Sequence, residues 1–140
     1  MLAALSAAEA EFLVVGAHAM AVHGRPRATG DLDLWIRRTP DNARRVWSAL
    51  TRFGAPVRDL TLKDLESPDV VFQMGVPPNR IDIITEIDGV EFEKAWPNRV
   101  VATFGGQSVP VLGRAELLAN KRAAGRPKDR ADVAWLESDS

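Results

Sequence analysis

The segment Asp31-Leu32-Asp33-Leu34-Trp35-Ile36 constrains this chain more than any other. Its period of two is that of a β-strand, with Leu32, Leu34 and Ile36 on one face and Asp31, Asp33 and Trp35 on the other. The apolar face is expected to pack on helices, which leaves the two carboxylates side by side on the opposite face. Paired hard oxygens suit magnesium, which is held by one or two carboxylates and keeps the rest of its shell for water and substrate phosphates. Phosphoryl-transfer sites often use two such ions, about 3.5–4 Å apart, to clamp the attacking and leaving oxygens. A third carboxylate is then needed from a neighbouring strand, and Asp82 is the best candidate. In Arg80-Ile81-Asp82-Ile83-Ile84 the two flanking isoleucines share one face and Asp82 takes the other. An aspartate there is costly to bury unless it is paired or binds a metal. By itself it could equally be a structural residue near a turn.

The rest of the chain supplies elements around that strand. A helix is expected over Leu2 to Glu11, a stretch rich in Ala, Leu and Glu. Phe12 to Val15 reads as a buried strand ending at Gly16, and Ala17 to His23 as a helix stopped by Gly24. Residues 25 to 30 form a loop by their Pro and Gly content. Pro40 to Arg52 predicts an amphipathic helix closed by Gly54. Residues 69 to 75 and Arg80 to Thr85 predict a hairpin about Pro77-Pro78-Asn79, and Val100 to Thr103 with Ser108 to Leu112 predict a second. Arg114 to Ala124 is a helix ending near Gly125, and Pro127 opens another that runs to Leu136. The expected fold class is α/β (α+β), a mixed sheet flanked by helices. At 140 residues one domain spanning 1–140 is sufficient.

Composition narrows the function classes. A hydrophobic content of 46% permits a real core, and no apolar run approaches the roughly 20 residues of a membrane-spanning helix. The start of the chain lacks the pattern of a signal peptide. The absence of cysteine excludes disulfides and thiolate metal sites and is compatible with a cytoplasmic setting. A net charge of −1 argues against a protein that grips long nucleic acid by bulk electrostatics. The charge is uneven, however: residues 114–130 carry Arg114, Lys121, Arg122, Arg126, Lys128 and Arg130 against Glu116 and Asp129. Such a segment could face phosphates, although a solvated helix face is the simpler explanation of charge alone.

Several motifs together resemble the DNA polymerase beta-like nucleotidyltransferase superfamily. They are Val15-Gly16-Ala17, the helix that follows, and Thr29-Gly30-Asp31-Leu32-Asp33-Leu34. The likeness is greatest to its small bacterial branch of abortive-infection (toxin-type) and antibiotic nucleotidyltransferases. Gly16, Ala19, His23, Gly24, Arg27, Thr29, Asp31 and Asp33 fit that branch in order. The tail from Leu118 through Asp129 to Asp132 is similar to its usual ending. The resemblance implies a polymerase beta-like fold and transfer of a nucleoside monophosphate from an NTP to a hydroxyl of tRNA, protein or small molecule. It also implies two Mg2+ ions (Mn2+ possible) on Asp31, Asp33 and Asp82, and a toxin–antitoxin role is known in this branch. A homodimer or an antitoxin-type protein is a possible partner, and no membrane is implied.

In that reading Gly16 lets the backbone, with its helix N-terminal amides, approach the triphosphate. Ala17 stands where the family has Gly or Ser, so only its backbone N–H remains for phosphate. Lys121 is the expected phosphate partner, with Arg126 and Lys128 as alternatives, and Arg25 or Arg27 could reach phosphate or acceptor. The nucleotide-binding set is therefore Gly16, Ala17, Arg27, Thr29 and Lys121. His18 and His23 are expected to be structural, Asp129 and Asp132 to pair with Arg126 and neighbouring bases, and Trp47, Trp96 and Trp135 to pack in a core or interface. A catalytically silent nucleotide- or partner-binding module of the same fold is the main alternative, and an unrelated magnesium phosphohydrolase is a second.

Overall fold

A computed structural model describes residues 1–26, 31–76 and 79–138. Its centre is strand β1 (Phe12–Val15), with all four side chains buried, as expected of a strand covered on both faces. On one side β1 pairs antiparallel with β2 (Asp31–Ile36), and on the other it runs parallel to β6 (Gln107–Val111). β4 (Arg80–Ile84) lies parallel to β2 and carries β3 (Val71–Met74) antiparallel on its outer edge. β5 (Val100–Phe104) closes the opposite edge against β6. The order is β3-β4-β2-β1-β6-β5, a mixed six-stranded sheet, and both expected hairpins form. The second turns on Gly105 and Gly106, whose φ values of +54° and +83° suit the tight mirror-image turn that a two-residue connection needs.

The helices follow the sequence pattern with informative differences at their ends. α1 covers Leu2–Ala7 and stops short of the expected Glu11. Glu9 takes φ +58°, and the Ala10 amide bonds back to the Leu5 carbonyl, so the chain reverses into β1 despite its helical propensity. α2 spans Gly16–Val22. α3 spans Pro40–Phe53, capped by the Thr39 hydroxyl, which accepts from the Asn42 amide, and closed by Gly54 at φ +82°. α4 (Phe92–Ala95) is a single turn that the sequence pattern does not signal, since four residues carry too little periodicity. α5 (Arg114–Ala124) and α6 (Pro127–Ser138) form a C-terminal pair joined through Gly125.

Leu34 and Ile36 are fully buried in the core with Leu5, Val46 and Leu50, which confirms the apolar face of β2. Trp35, on the other face, is also buried, with its ring 5.0 Å from that of Phe92 in an edge-to-face contact. Among the described residues, no helix is long and apolar enough to cross a membrane.

Candidate active site

The register of two parallel strands builds the site. β2 and β4 align so that Asp33 lies opposite Asp82, and Asp31 lies opposite Arg80. Residues opposite one another in a ladder share a face, so the three carboxylates and one guanidinium collect on one side of the sheet. Arg80 is the residue that the sequence reasoning missed. Its signal was available, because it precedes Asp82 by two and must share its face.

Arg80 is held between two of the aspartates. Its Nη2 lies 2.9 Å from Asp31 Oδ2, its Nε lies 3.2 Å from Asp82 Oδ1, and Nη2 also donates to Asp82 Oδ2 at 3.3 Å. Asp33 has no ion pair among the described residues. Burial pushes its carboxyl up to about 6, and the negative charges of Asp82 and Asp31 push the same way, against the opposing pull of Arg80. Asp82 is buried, and its Oδ1 makes no hydrogen bond of good geometry.

Gly16 completes the cradle. β1 pairs with β2 so that Val15 faces Asp33, and the next residue turns from strand into helix at φ +68°. A Cβ on Gly16 would stand 2.5 Å from Asp33 Oδ2. The left-handed backbone favours glycine there, and any side chain would also push the Asp33 carboxylate aside. Ala17 follows in the first turn of α2. Arg27 and Thr29, the other expected nucleotide-binding residues of that region, lie outside the described residues.

Lys121, the expected phosphate partner, lies between α5 and α6. Its side chain is 7% exposed, with Nζ 3.3 Å from Asp129 Oδ1 and 3.2 Å from Asp132 Oδ2, both fully buried. An ammonium so enclosed is the counter-charge that makes two buried carboxylates tolerable. The simple charge count could not show this, because the aspartates that claim Lys121 come from the following helix. Asp129 also binds Arg126, through Nε at 2.6 Å, and Asp132 lies 3.5 Å from Arg25 Nε, so the expected pairing with neighbouring bases is present. Burial works against the charge of Asp129, but hydrogen bonds and charge from Arg126 and Lys121 outweigh it and hold its carboxyl below the usual range. Lys128 is exposed.

The histidines and the remaining tryptophans have structural surroundings. His23 Nε2 meets the Leu112 carbonyl at 2.8 Å, and His18 packs edge-on to Phe104. Trp96 stacks on Phe92, Trp47 packs against the core, and Trp135 lies beneath the guanidinium groups of Arg25 and Arg114.

Among the described residues, no three His, Cys, Asp or Glu side chains form a ready-made metal cage. The donor chemistry of Asp31, Asp33 and Asp82 nevertheless fits a hard divalent cation. All three offer carboxylate oxygen on one face, and the like charges of Asp82 and Asp31 help to raise the carboxyl of Asp33. The like charges that raise Asp33 would be relieved by a cation among them. Beside Trp35, two residues along β2 from Asp33, a cavity of about 1290 Å3 opens. Trp35, Arg37, Phe92, Lys94 and Glu116 are among its walls.

The sequence matches no protein-family model, and no curated protein matches it. A solved structure does resemble the fold: the crystal structure of "a putative nucleotidyltransferase (TM1012)" from Thermotoga maritima superposes with a TM-score of 0.63. The match covers 98% of this chain and 88% of that one at 15% identity. The sheet and its flanking helices thus have a nucleotidyltransferase-like fold.

Proposed function

We propose that this chain is a magnesium-dependent nucleotidyltransferase that moves a nucleoside monophosphate from an NTP to a hydroxyl acceptor. The observation that carries the reading is the register of β2 and β4, which gathers Asp31, Asp33 and Asp82 on one face beside the Gly16 turn. In the proposed reaction a bond forms between the acceptor oxygen and the α-phosphorus, the hydroxyl gives up its proton to solvent, the bond from the α-phosphorus to the α–β bridging oxygen breaks, and pyrophosphate leaves. Magnesium, when bound, supplies charge to the phosphate oxygens and lowers the pKa of the acceptor hydroxyl. Asp31 and Asp33 would hold the metal ions, and Asp82 would share one of them and orient the hydroxyl. Gly16 would admit the triphosphate without a side chain in the way. Most of the rate would come from positioning and preorganised charge.

A second reading, a catalytically silent binding module, has a specific observation behind it. Arg80 already satisfies Asp31 and Asp82, and Ala17 offers phosphate no hydroxyl. One experiment separates the two. The protein is incubated with each labelled NTP, magnesium, and tRNA, a small hydroxyl compound or itself as acceptor. Pyrophosphate and a labelled product are expected with at least one combination, both lost on adding EDTA. Metal-dependent NTP binding with no product from any acceptor would favour the silent module. The toxin–antitoxin role implied by the resemblance gains support if tRNA or protein is the labelled product.

A further inference from the structure

We propose that Arg80 is a built-in competitor for the metal site, a guanidinium that bridges Asp31 and Asp82 and must withdraw from them for a divalent cation to take both as ligands. This rests on the reading of those carboxylates as metal ligands. Arg80 makes three contacts with oxygens of two of the proposed ligands, Asp31 Oδ2, Asp82 Oδ1 and Asp82 Oδ2. Its place opposite Asp31 in the ladder brings it onto the carboxylate face, so the position is fixed by strand register and not by a loop. A guanidinium does not lose its proton in a protein, so the competition can be relieved only by movement. Movement is open to it: the side chain is 30% exposed, whereas Asp82 at 8% is fixed in the wall of the site.

The charge count gives the arrangement a consequence. Three carboxylates and one guanidinium sum to −2, a charge that one divalent cation would neutralise if Arg80 stayed nearby. Without the guanidinium the site carries −3. Removing Arg80 therefore deepens the attraction for a cation and frees two of its ligands at once. The same removal leaves the metal-free protein with uncompensated like charges and lowers its stability.

The test is Mn2+ binding, followed by electron paramagnetic resonance of free Mn2+ and by the shift in melting temperature on saturation. Wild type, Arg80→Met, Arg80→Lys and Asp33→Asn are compared in one buffer without nucleotide. The expected result is that Arg80→Met binds Mn2+ roughly tenfold more tightly than wild type, melts lower when metal-free, and gains more on saturation. Arg80→Lys retains the charge on a stem that cannot bridge two carboxylates in one plane. It should lie between the two, and it serves alone if Arg80→Met does not fold. Mn2+ binding unchanged or weakened in the folded Arg80 variants, while Asp33→Asn abolishes it, would overturn the proposal and leave the metal site standing. Absence of Mn2+ binding from wild type and from the Arg80 variants would overturn both.

Discussion

At the scale of single residues, the site stores electrostatic strain in Asp33. Its carboxyl sits at about 6 in the folded protein, against an ordinary value of 3.8. A raised acid pKa means that the folded state binds the proton more tightly than the unfolded chain does. Stability is therefore greatest below pH 4 as far as this group is concerned, and it is lost as pH rises through 6. The full shift corresponds to roughly 3 kcal/mol, and the half-open position of Asp33 reduces that to about 1–2 kcal/mol. Asp33→Asn removes the charge and should melt higher than wild type in EDTA at pH 7.5, with the advantage shrinking towards pH 4.5. Nucleotide transfer should be abolished in the same variant. An advantage independent of pH would show that Asp33 is not strained by its neighbours. Gly16 is the second residue with a definite expectation. Gly16→Ala meets both an unfavourable φ and the Asp33 oxygen, which together should cost about 1–3 kcal/mol of stability. It should also weaken metal-dependent NTP binding by displacing Asp33. Full NTP affinity in a destabilised protein would mean that the turn serves only the fold.

At the scale of elements, the period-two pattern of β2 and β4 was sufficient to locate both strands and the shared acidic face. Period alone does not give register, however. Asp31 opposite Arg80 and Asp33 opposite Asp82 follow from a parallel pairing that depends on how the intervening chain crosses the sheet. The spacing put Arg80 on the face of Asp82, but only the register shows that it also reaches Asp31. Helix α1 was overextended because propensity does not see the reversal at Glu9, and α4 was missed because one turn has no periodicity. Asn42 shows what joins the elements. Its Oδ1 accepts from the Glu11 amide at 2.7 Å, and its Nδ2 donates to the Glu11 and Arg37 carbonyls, both at 2.9 Å. One buried side chain thus ties the start of α3 to the entrance of β1 and the exit of β2. Asn42→Ala leaves the Glu11 amide and the Arg37 carbonyl without this partner, while the Glu11 carbonyl keeps the Arg37 amide, and should cost about 1–3 kcal/mol in urea denaturation. A loss below about 0.5 kcal/mol would mean that water replaces the amide, and that the link is incidental.

At the scale of the whole molecule, the C-terminal helices are held to each other by charge, while Leu117 and Leu136 join the buried core. Lys121 of α5 reaches Asp129 and Asp132 of α6, Arg25 reaches Asp132 from the end of α2, and Arg114 donates to the Leu136 carbonyl. Through Arg25 the cluster also ties the helical pair to the segment just after α2. Lys121→Ala takes the most enclosed cation away from two fully buried carboxylates. Arg126 and Arg25 remain, each on one carboxylate. Breaking a buried pair by deleting one partner costs about 3–5 kcal/mol in general, and the surviving arginines should keep the loss near the lower end. Because Asp129 is held below its ordinary range, its stabilising pairs are present above the unfolded carboxylate pKa and fade as pH falls. The gap between wild type and Lys121→Ala should therefore be wide at pH 7 and narrow below pH 4. NTP affinity, measured on folded protein well below its melting point, should change less than twofold. If melting is unaffected and NTP affinity drops tenfold, Lys121 leaves its carboxylates to meet phosphate, and the cluster belongs to the nucleotide site instead of to the fold.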